Sequence, residues 1–396
     1  MARKPAVLGG KPAFNNKIYI TRPVVPTMNE LRPFLSDLLR RKWLTNDGPY
    51  IQRFERELRA YLEAPYCATF CNGTLALQLT IQGMKLSGEV ITTPFTFPAT
   101  PHVLYWNNIT PVFCDIDPET YNIDHRHIES LISPRTSGIL AVHIFGNPCN
   151  TEELEKIARS HGLKVIYDAA HAFGVRLNGK SIASYGDASM FSFHATKIFN
   201  TMEGGAVACS DGHLYQKLRD LRNFGIRGEE EIVDTGINAK MNELQAIFGL
   251  INLKKIDETI KKRKNLFTRY LMNLRKIPGI KFQKITDKTS YNYAYLVIEI
   301  LHEEFGLTRD ETFICLREEG IIVRKYFYPL CSDYPCYRGL PSAKRELLPN
   351  ANMVSSRVLS LPLYCEMKEK DVDRIVEVIF SIHYHAGKIK KKLHQV

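Results

Sequence analysis

In FSFHATKIFNTMEGG, Phe191 to Gly205, one lysine stands among apolar and hydroxyl side chains, with no acidic residue until Glu203. A lysine stripped of water tends to lose its proton. The neutral amine is then a nucleophile that forms Schiff bases with carbonyls. Lys197 is therefore the residue around which a site is sought. LKVIYDAAHAFG is an apolar run ending at Asp168. In open parallel sheets, ligands bind beyond the carboxyl ends of the strands. Asp168 is thus either a loop or N-cap aspartate, or the partner of a protonated ring nitrogen. FCNGTLALQL opens a helix with Asn72, Gly73 and Thr74, which is an ordinary cap or an anion site. Ser192 precedes Lys197 by five residues and brings a hydroxyl toward the same anion. Phe95 and Phe97, after EVITT, suit core packing or stacking on a flat ring. Asn238 and Lys240 lie just ahead of an apolar helix in GINAKMNELQAIFGL, as cap residues or as phosphate donors.

Taken together these are the parts that pyridoxal 5′-phosphate needs: a Schiff-base lysine, an acidic partner for the ring nitrogen, a phosphate cup and a stacking group.

The elements that must position these residues follow from periodicity. PTMNELRPFLSDLLRRKWL places Leu31, Phe34, Leu38 and Leu39 on one helical face, and IQRFERELRAYL repeats the spacing with Phe54, Leu58 and Leu62. Short strands are predicted at EVITT, PVFCDI, GILAVHIFG, LKVIYDAA, ASMFSF and GAVACS. The helix NTEELEKIARSHG lies between two of them, with Gly162 as its stop. This order predicts an α/β fold: a three-layer large domain with a mostly parallel sheet, residues 1–249. A smaller C-terminal α+β domain, residues 250–396, is expected to hold a long basic helix from Leu250 to Arg275, strands at YAYLVIEI and GIIVRKYFY, and helices at RDETFICLREEG and EKDVDRIVEVIFSI.

Composition narrows the partners. No apolar run approaches the ~20 residues that span a bilayer, and Met1 to Asn16 lacks the apolar core of a signal peptide. The nine cysteines include no CxxC pair, which reads as free thiols in a reducing compartment, without metal, and a cytoplasmic location. The net charge of +11 concentrates in Lys254–Lys264 and Lys388–Lys392. Such a balance suits anionic partners, or a solvated helix face and tail. A nucleic-acid-binding regulator is the rival of a different class, but no reader module is recognisable.

YDAAHAFG, FSFHATKIFNTMEGGAV, NGTLAL, VHIFGNP, GINAKMNELQA and YFYPL together resemble the nucleotide-sugar aminotransferases of the aspartate-aminotransferase fold, fold type I. The resemblance covers nearly the whole chain, from GGKPAF to LPLYCEMKEKDVDRI. It implies that Lys197 carries the cofactor and Asp168 pairs with its ring nitrogen. His171, where many relatives have glutamine, approaches the ring hydroxyl. Gly73, Thr74 and Ser192 hold the phosphate, Phe97 stacks on the ring, and Asn238 reaches the phosphate of the neighbouring subunit of a homodimer. The common GEGG is MEGG here, and the common Glu-Asp pair is Tyr167–Asp168. A related class with histidine in place of the lysine dehydrates its sugar, so Lys197 favours transamination. FSFHATK-x-FNT-x-EGG and VIYDAAHAFG are most similar to the branch that makes dTDP-4-amino-4,6-dideoxyglucose. L-glutamate and a keto-deoxysugar nucleotide are the implied substrates, for lipopolysaccharide O-antigen or another glycan. The diphosphate of that nucleotide needs cations, for which Arg227, Lys240, Arg324 and Lys325 are candidates; Tyr326 and Tyr328 in KYFYPL are strand aromatics or walls of the sugar pocket, and the WLTNDGP loop, Trp43 to Pro49, is a further candidate. GDP- or UDP-linked sugars, or amination at C3, are the implied alternatives.

Overall fold

Seven short strands make one sheet in the computed structural model, which describes residues 3–394. They are β1 (Tyr66–Phe70), β2 (Glu89–Thr92), β3 (Thr110–Phe113), β4 (Thr136–Val142), β5 (Lys164–Asp168), β6 (Ala188–Ser192) and β7 (Gly205–Cys209). The spatial order is β1-β7-β6-β5-β4-β2-β3. Every neighbouring pair is parallel except the two that β7 makes, with β1 and with β6. Ile139, Leu140 and Ala141 of β4 are all fully buried. Continuous burial of this kind means that helices cover both faces. Val90, Leu140 and Ile166 pack toward α3 (Gly73–Gly83), α4 (Ala99–Trp106) and α6 (Gly212–Leu221). Their strand neighbours Ile91, Ile139 and Val165 pack toward α5 (Thr151–His161) on the opposite face. These are the three layers expected from the alternating pattern.

A second sheet joins β8 (Ile280–Phe282), β9 (Leu296–Ile300) and β10 (Val358–Leu361), antiparallel in that order. Leu266, Tyr270 and Leu274 from one helix and Val372, Ile375 and Ile379 from another bury its core. Ala13 lies in the same cluster, and a bridge joins Ile18 to Ile321. The first described residues therefore pack on this second unit.

Several local expectations change. In α1 (Met28–Arg41) Leu31 and Leu38 are buried, but Leu39 is 70% exposed, because the next residue turns 100° away from the Leu38 face. The predicted Leu250–Arg275 helix is two: α7 (Glu243–Leu253) ends in a turn at Lys254–Lys255, and α8 (Ile256–Leu274) starts afresh. GIIVRKYFY forms no strand; it makes single bridges at Ile321 and Arg324. Strands β1, β8 and β10 lie where no strand was predicted.

One buried ion pair positions the start of α3. Glu55 of α2 (Pro49–Leu62) accepts the Thr69 N–H at 2.9 Å, and Arg222 donates to Glu55 at 2.5 Å and to the Thr69 carbonyl at 2.7 Å. Burial raises the Glu55 carboxyl, but the Arg222 guanidinium outweighs it and the net shift is downward. The pair ties α2 and the end of α6 to β1, two residues ahead of the turn that leads into α3.

Candidate active site

The sheet gathers the sequence-nominated residues at one edge. Asp168 ends β5, Ser192 ends β6, Val142 ends β4, and α3 begins at Gly73 just beyond β1. These are carboxyl ends, and the antiparallel β7 enters the same edge with Gly205. A cavity of about 770 Å³ opens there, bounded by Lys197, Asp168, His171, Phe97 and the phosphate-cup residues Gly73, Thr74 and Ser192. Arg324 and Tyr326 reach it from the second unit.

The cup is built by close backbone approach. Asn72 Oδ1 accepts the Leu75 N–H at 2.9 Å, and the Asn72 carbonyl accepts the Ala76 N–H. The N–H groups of Gly73 and Thr74, at the helix start, are left to face an anion. A Cβ on Gly73 would sit 2.9 Å from Ser192 Cβ and 3.1 Å from its Oγ. A Cβ on Gly205 would sit 2.8 Å from the Asn72 carbonyl and from Gly73 Cα. Both glycines are thus required for β6, β7 and the α3 terminus to meet. The donors are two backbone N–H groups and two hydroxyls, uncharged and mutually close, which fits a phosphate monoester. Gly73→Val is expected to weaken pyridoxal phosphate binding at least about 10-fold, since it forces Ser192 out of the cup. Spectrophotometric titration of the apoprotein measures it, with Thr74→Ser as the mild control.

Asp168 is buried. Its Oδ2 accepts from the Thr100 hydroxyl at 2.8 Å and its Oδ1 from the Ala170 N–H at 3.0 Å. Thr96 and Thr100 hydroxyls lie 2.9 Å apart. Because Thr100 donates to the carboxylate, it accepts from Thr96, so the two form a chain that fixes the Asp168 rotamer. Burial pushes the Asp168 carboxyl above its usual range, against the Ala170 N–H, Thr100 and the charge of Lys197. A cationic ring nitrogen is the partner that would restore its charge. His171 is buried, and burial holds it well below its usual value and neutral. Its Nδ1 accepts the Phe145 N–H at 3.2 Å, which assigns the proton to Nε2. Its ring lies parallel to Phe327, 6.1 Å between centroids at 1°, and packs on Tyr295 at 4.7 Å. It therefore presents a fixed donor. Burial also lowers Lys197, partly opposed by Asp168 and Tyr326, so its amine is neutral more often than a surface lysine.

Other nominated residues lie elsewhere. Phe95 is fully buried among Tyr121, Phe145 and Phe327, so it is core. Phe97 is 58% exposed and stands between the main cavity and a neighbouring one of about 360 Å³, which Lys325 and Tyr328 border. Arg227 and Lys240 border a third cavity, of about 430 Å³, together with Asn46 and Asp47 of the WLTNDGP loop. There Arg227 pairs with Asp220, and Lys240 donates to Asn223 Oδ1 at 2.8 Å. Asn238 is exposed and does not border the Lys197 cavity of its own chain. Sequence reasoning missed Thr96 and Thr100. The TF-x-AT spacing does put two hydroxyls one helical turn apart, and that was the available signal. No group of metal ligands occurs among the described residues.

Residues 27–380 match the model of the DegT/DnrJ/EryC1/StrS aminotransferase family. The dTDP-4-amino-4,6-dideoxy-D-glucose transaminase of Escherichia coli is 42% identical over 367 residues, 92% of this chain and 98% of that protein. The GDP-perosamine synthase of Vibrio cholerae is 30% identical, over 88% of this chain and 96% of that one. The crystal structure of DesI with its TDP-sugar product superposes with a TM-score of 0.92 at 36% identity, covering 99% of each chain.

Proposed function

This chain belongs to the DegT/DnrJ/EryC1/StrS aminotransferase family and is a pyridoxal-phosphate-dependent aminotransferase, and we propose that it aminates C4 of dTDP-4-keto-6-deoxy-D-glucose. L-glutamate is the donor; the products are dTDP-4-amino-4,6-dideoxy-D-glucose and 2-oxoglutarate. The observation that carries the acceptor is the 42% identity, over 92% of this chain, with a transaminase of that name. The likeness to GDP-perosamine synthase supports a GDP-linked 4-keto sugar as the second reading. A panel of dTDP-, GDP- and UDP-linked 4-keto and 3-keto sugars, each with L-glutamate and read by mass spectrometry, decides between them. The dTDP-4-keto substrate is expected to exceed every other in kcat/KM by at least about 10-fold. A preference for a GDP sugar or for a 3-keto position overturns the assignment.

When bound, pyridoxal phosphate supplies an aldehyde that carries the amino group and a ring that accepts an electron pair. Lys197 Nζ would hold that aldehyde between turnovers and, when free, would take the proton from the donor's amino-bearing carbon as base and give it back as acid. Asp168, held by Thr100 and Ala170, would balance a protonated ring nitrogen. His171 would donate from Nε2 to the ring hydroxyl, Gly73, Thr74 and Ser192 would hold the phosphate, and Phe97 would pack on the ring. The same residues run the second half with the keto sugar, in reverse. Lys325, Tyr326 and Tyr328 line the approach for the sugar nucleotide.

The reading includes a homodimer, in which Asn238, exposed and away from the Lys197 cavity of its own chain, would reach the phosphate of the neighbouring subunit. Arg227 and Lys240, which border a separate cavity, remain candidates for the diphosphate at the dimer cleft. A cytoplasmic role in surface-glycan synthesis, O-antigen included, accords with the absence, among the described residues, of any helix long and apolar enough to cross a membrane. Three of the six cations in the Lys254–Lys264 run are engaged within the chain, which weakens the nucleic-acid reading: Lys255 pairs with Glu30, Lys262 with Glu258, and Arg263 is buried against the Ala294 carbonyl.

A further inference from the structure

A side chamber of about 80 Å³ shares Thr196, Tyr295, Arg324 and Tyr326 with the Lys197 cavity. Thr21 and Ser360 complete its polar wall. Ser360 is 1% exposed, and its Oγ has no hydrogen-bond partner. A buried hydroxyl left without a partner is destabilising, which marks the chamber as a place for a ligand atom. Arg324 stands directly across from it. Arg324 N–H donates to the Ser360 carbonyl at 3.2 Å, and Ser360 N–H donates to the Arg324 carbonyl at 2.8 Å. Residues opposed in an antiparallel pair point their side chains to the same face. The guanidinium and the orphan hydroxyl are therefore presented together.

The charge of Arg324 is also uncommitted. Of the four cations nominated from sequence, Lys325 pairs with Asp310, Arg227 with Asp220, and Lys240 bonds Asn223. Arg324 alone makes neither an ion pair nor a side-chain hydrogen bond among the described residues. The chamber opens from the Lys197 cavity past Thr196, Tyr295, Arg324 and Tyr326, so a small substrate held at Lys197 can extend a group into it. The Thr196 hydroxyl is taken, bonded to His194 Nδ1 at 2.8 Å. At about 80 Å³ against about 770 Å³ for the main cavity, the chamber suits one small anionic group. A guanidinium beside the Ser360 hydroxyl matches a carboxylate.

We propose that Arg324 and Ser360 form the subsite that holds a carboxylate of the amino donor, rather than the diphosphate of the acceptor. The proposal rests on the reading that the donor is L-glutamate. It is tested in the donor half-reaction alone, with holoenzyme and L-glutamate, followed by the change in cofactor absorbance. Binding of the unreactive dicarboxylate glutarate to the same holoenzyme is measured by calorimetry. Arg324→Gln is expected to raise both KM for L-glutamate and Kd for glutarate about 10–100-fold, the loss of a charged hydrogen bond. KM for the keto sugar nucleotide is expected to move less than about 2-fold, and Arg324→Lys to recover only part of the loss. Ser360→Ala, a smaller change that spares the backbone pair, is expected to raise the same two constants about 3–10-fold. An equal loss with L-alanine assigns the α-carboxylate, and a loss confined to L-glutamate assigns the side-chain carboxylate. Unchanged glutamate and glutarate constants in both variants, or a rise confined to the sugar nucleotide, overturn the proposal. The donor half-reaction needs no sugar, so a wrong acceptor assignment leaves this test intact.

Discussion

Lys197→Ala is expected to lower transamination by more than about 10⁴-fold, because it removes covalent capture and proton transfer in one change. The substitution empties a position bordering the main cavity and breaks no side-chain hydrogen bond, so the fold should persist. Phosphate binding at Gly73, Thr74 and Ser192 does not depend on the amine. The variant should therefore still bind pyridoxal phosphate, more weakly, with the visible absorption of free aldehyde in place of that of the lysine-bound form. Borohydride reduction of wild-type holoenzyme, followed by peptide mapping, should place the adduct on Lys197. Near-normal turnover in the variant, or an adduct on another lysine, removes Lys197 from its role.

Asp168→Asn should leave the cofactor bound while the rate falls about 10²–10³-fold, the scale of losing one preorganised charge at a reacting site. Asparagine is nearly isosteric, and its carbonyl oxygen can still accept from either Thr100 or Ala170. What it cannot do is balance a positive ring nitrogen. Both half-reactions should slow alike, since the ring is the electron sink in each, whereas KM for either substrate should change little. Single-turnover rates measured separately for the two halves check this. An unchanged rate in both would make Asp168 a structural residue, held by burial and its two hydrogen bonds.

The Thr96–Thr100–Asp168 chain shows where reading by residue type stops. Asp168 was legible because it ends an apolar run, and Lys197 because its neighbours cannot solvate it. Thr100 lies 68 residues from Asp168, and only the adjacency of β2, β4 and β5 brings it near. Strand β1, YCATF, was missed because it is short and follows two amphipathic helices directly. GIIVRKYFY was overread: its β-branched run has the propensity of a strand, yet only Arg324 pairs with β10 before the chain turns into the cavity. Propensity describes a pleated, half-buried surface, and the surroundings decide whether one exists.

By itself the sequence determined the three-layer α/β class and the helix that opens at Gly73, and it nominated Lys197 and Asp168, which the structure places on one cavity. Each depends on contacts close along the chain: apolar periodicity, a capping residue, a charged group among apolar neighbours. Only the tertiary structure decided that β7 runs antiparallel so that Gly205 admits the α3 terminus, that Asp168 has a threonine relay, and that Arg324 and Ser360 face one chamber. Those contacts join residues far apart in the chain, and their geometry follows from strand order and packing, which no local pattern encodes.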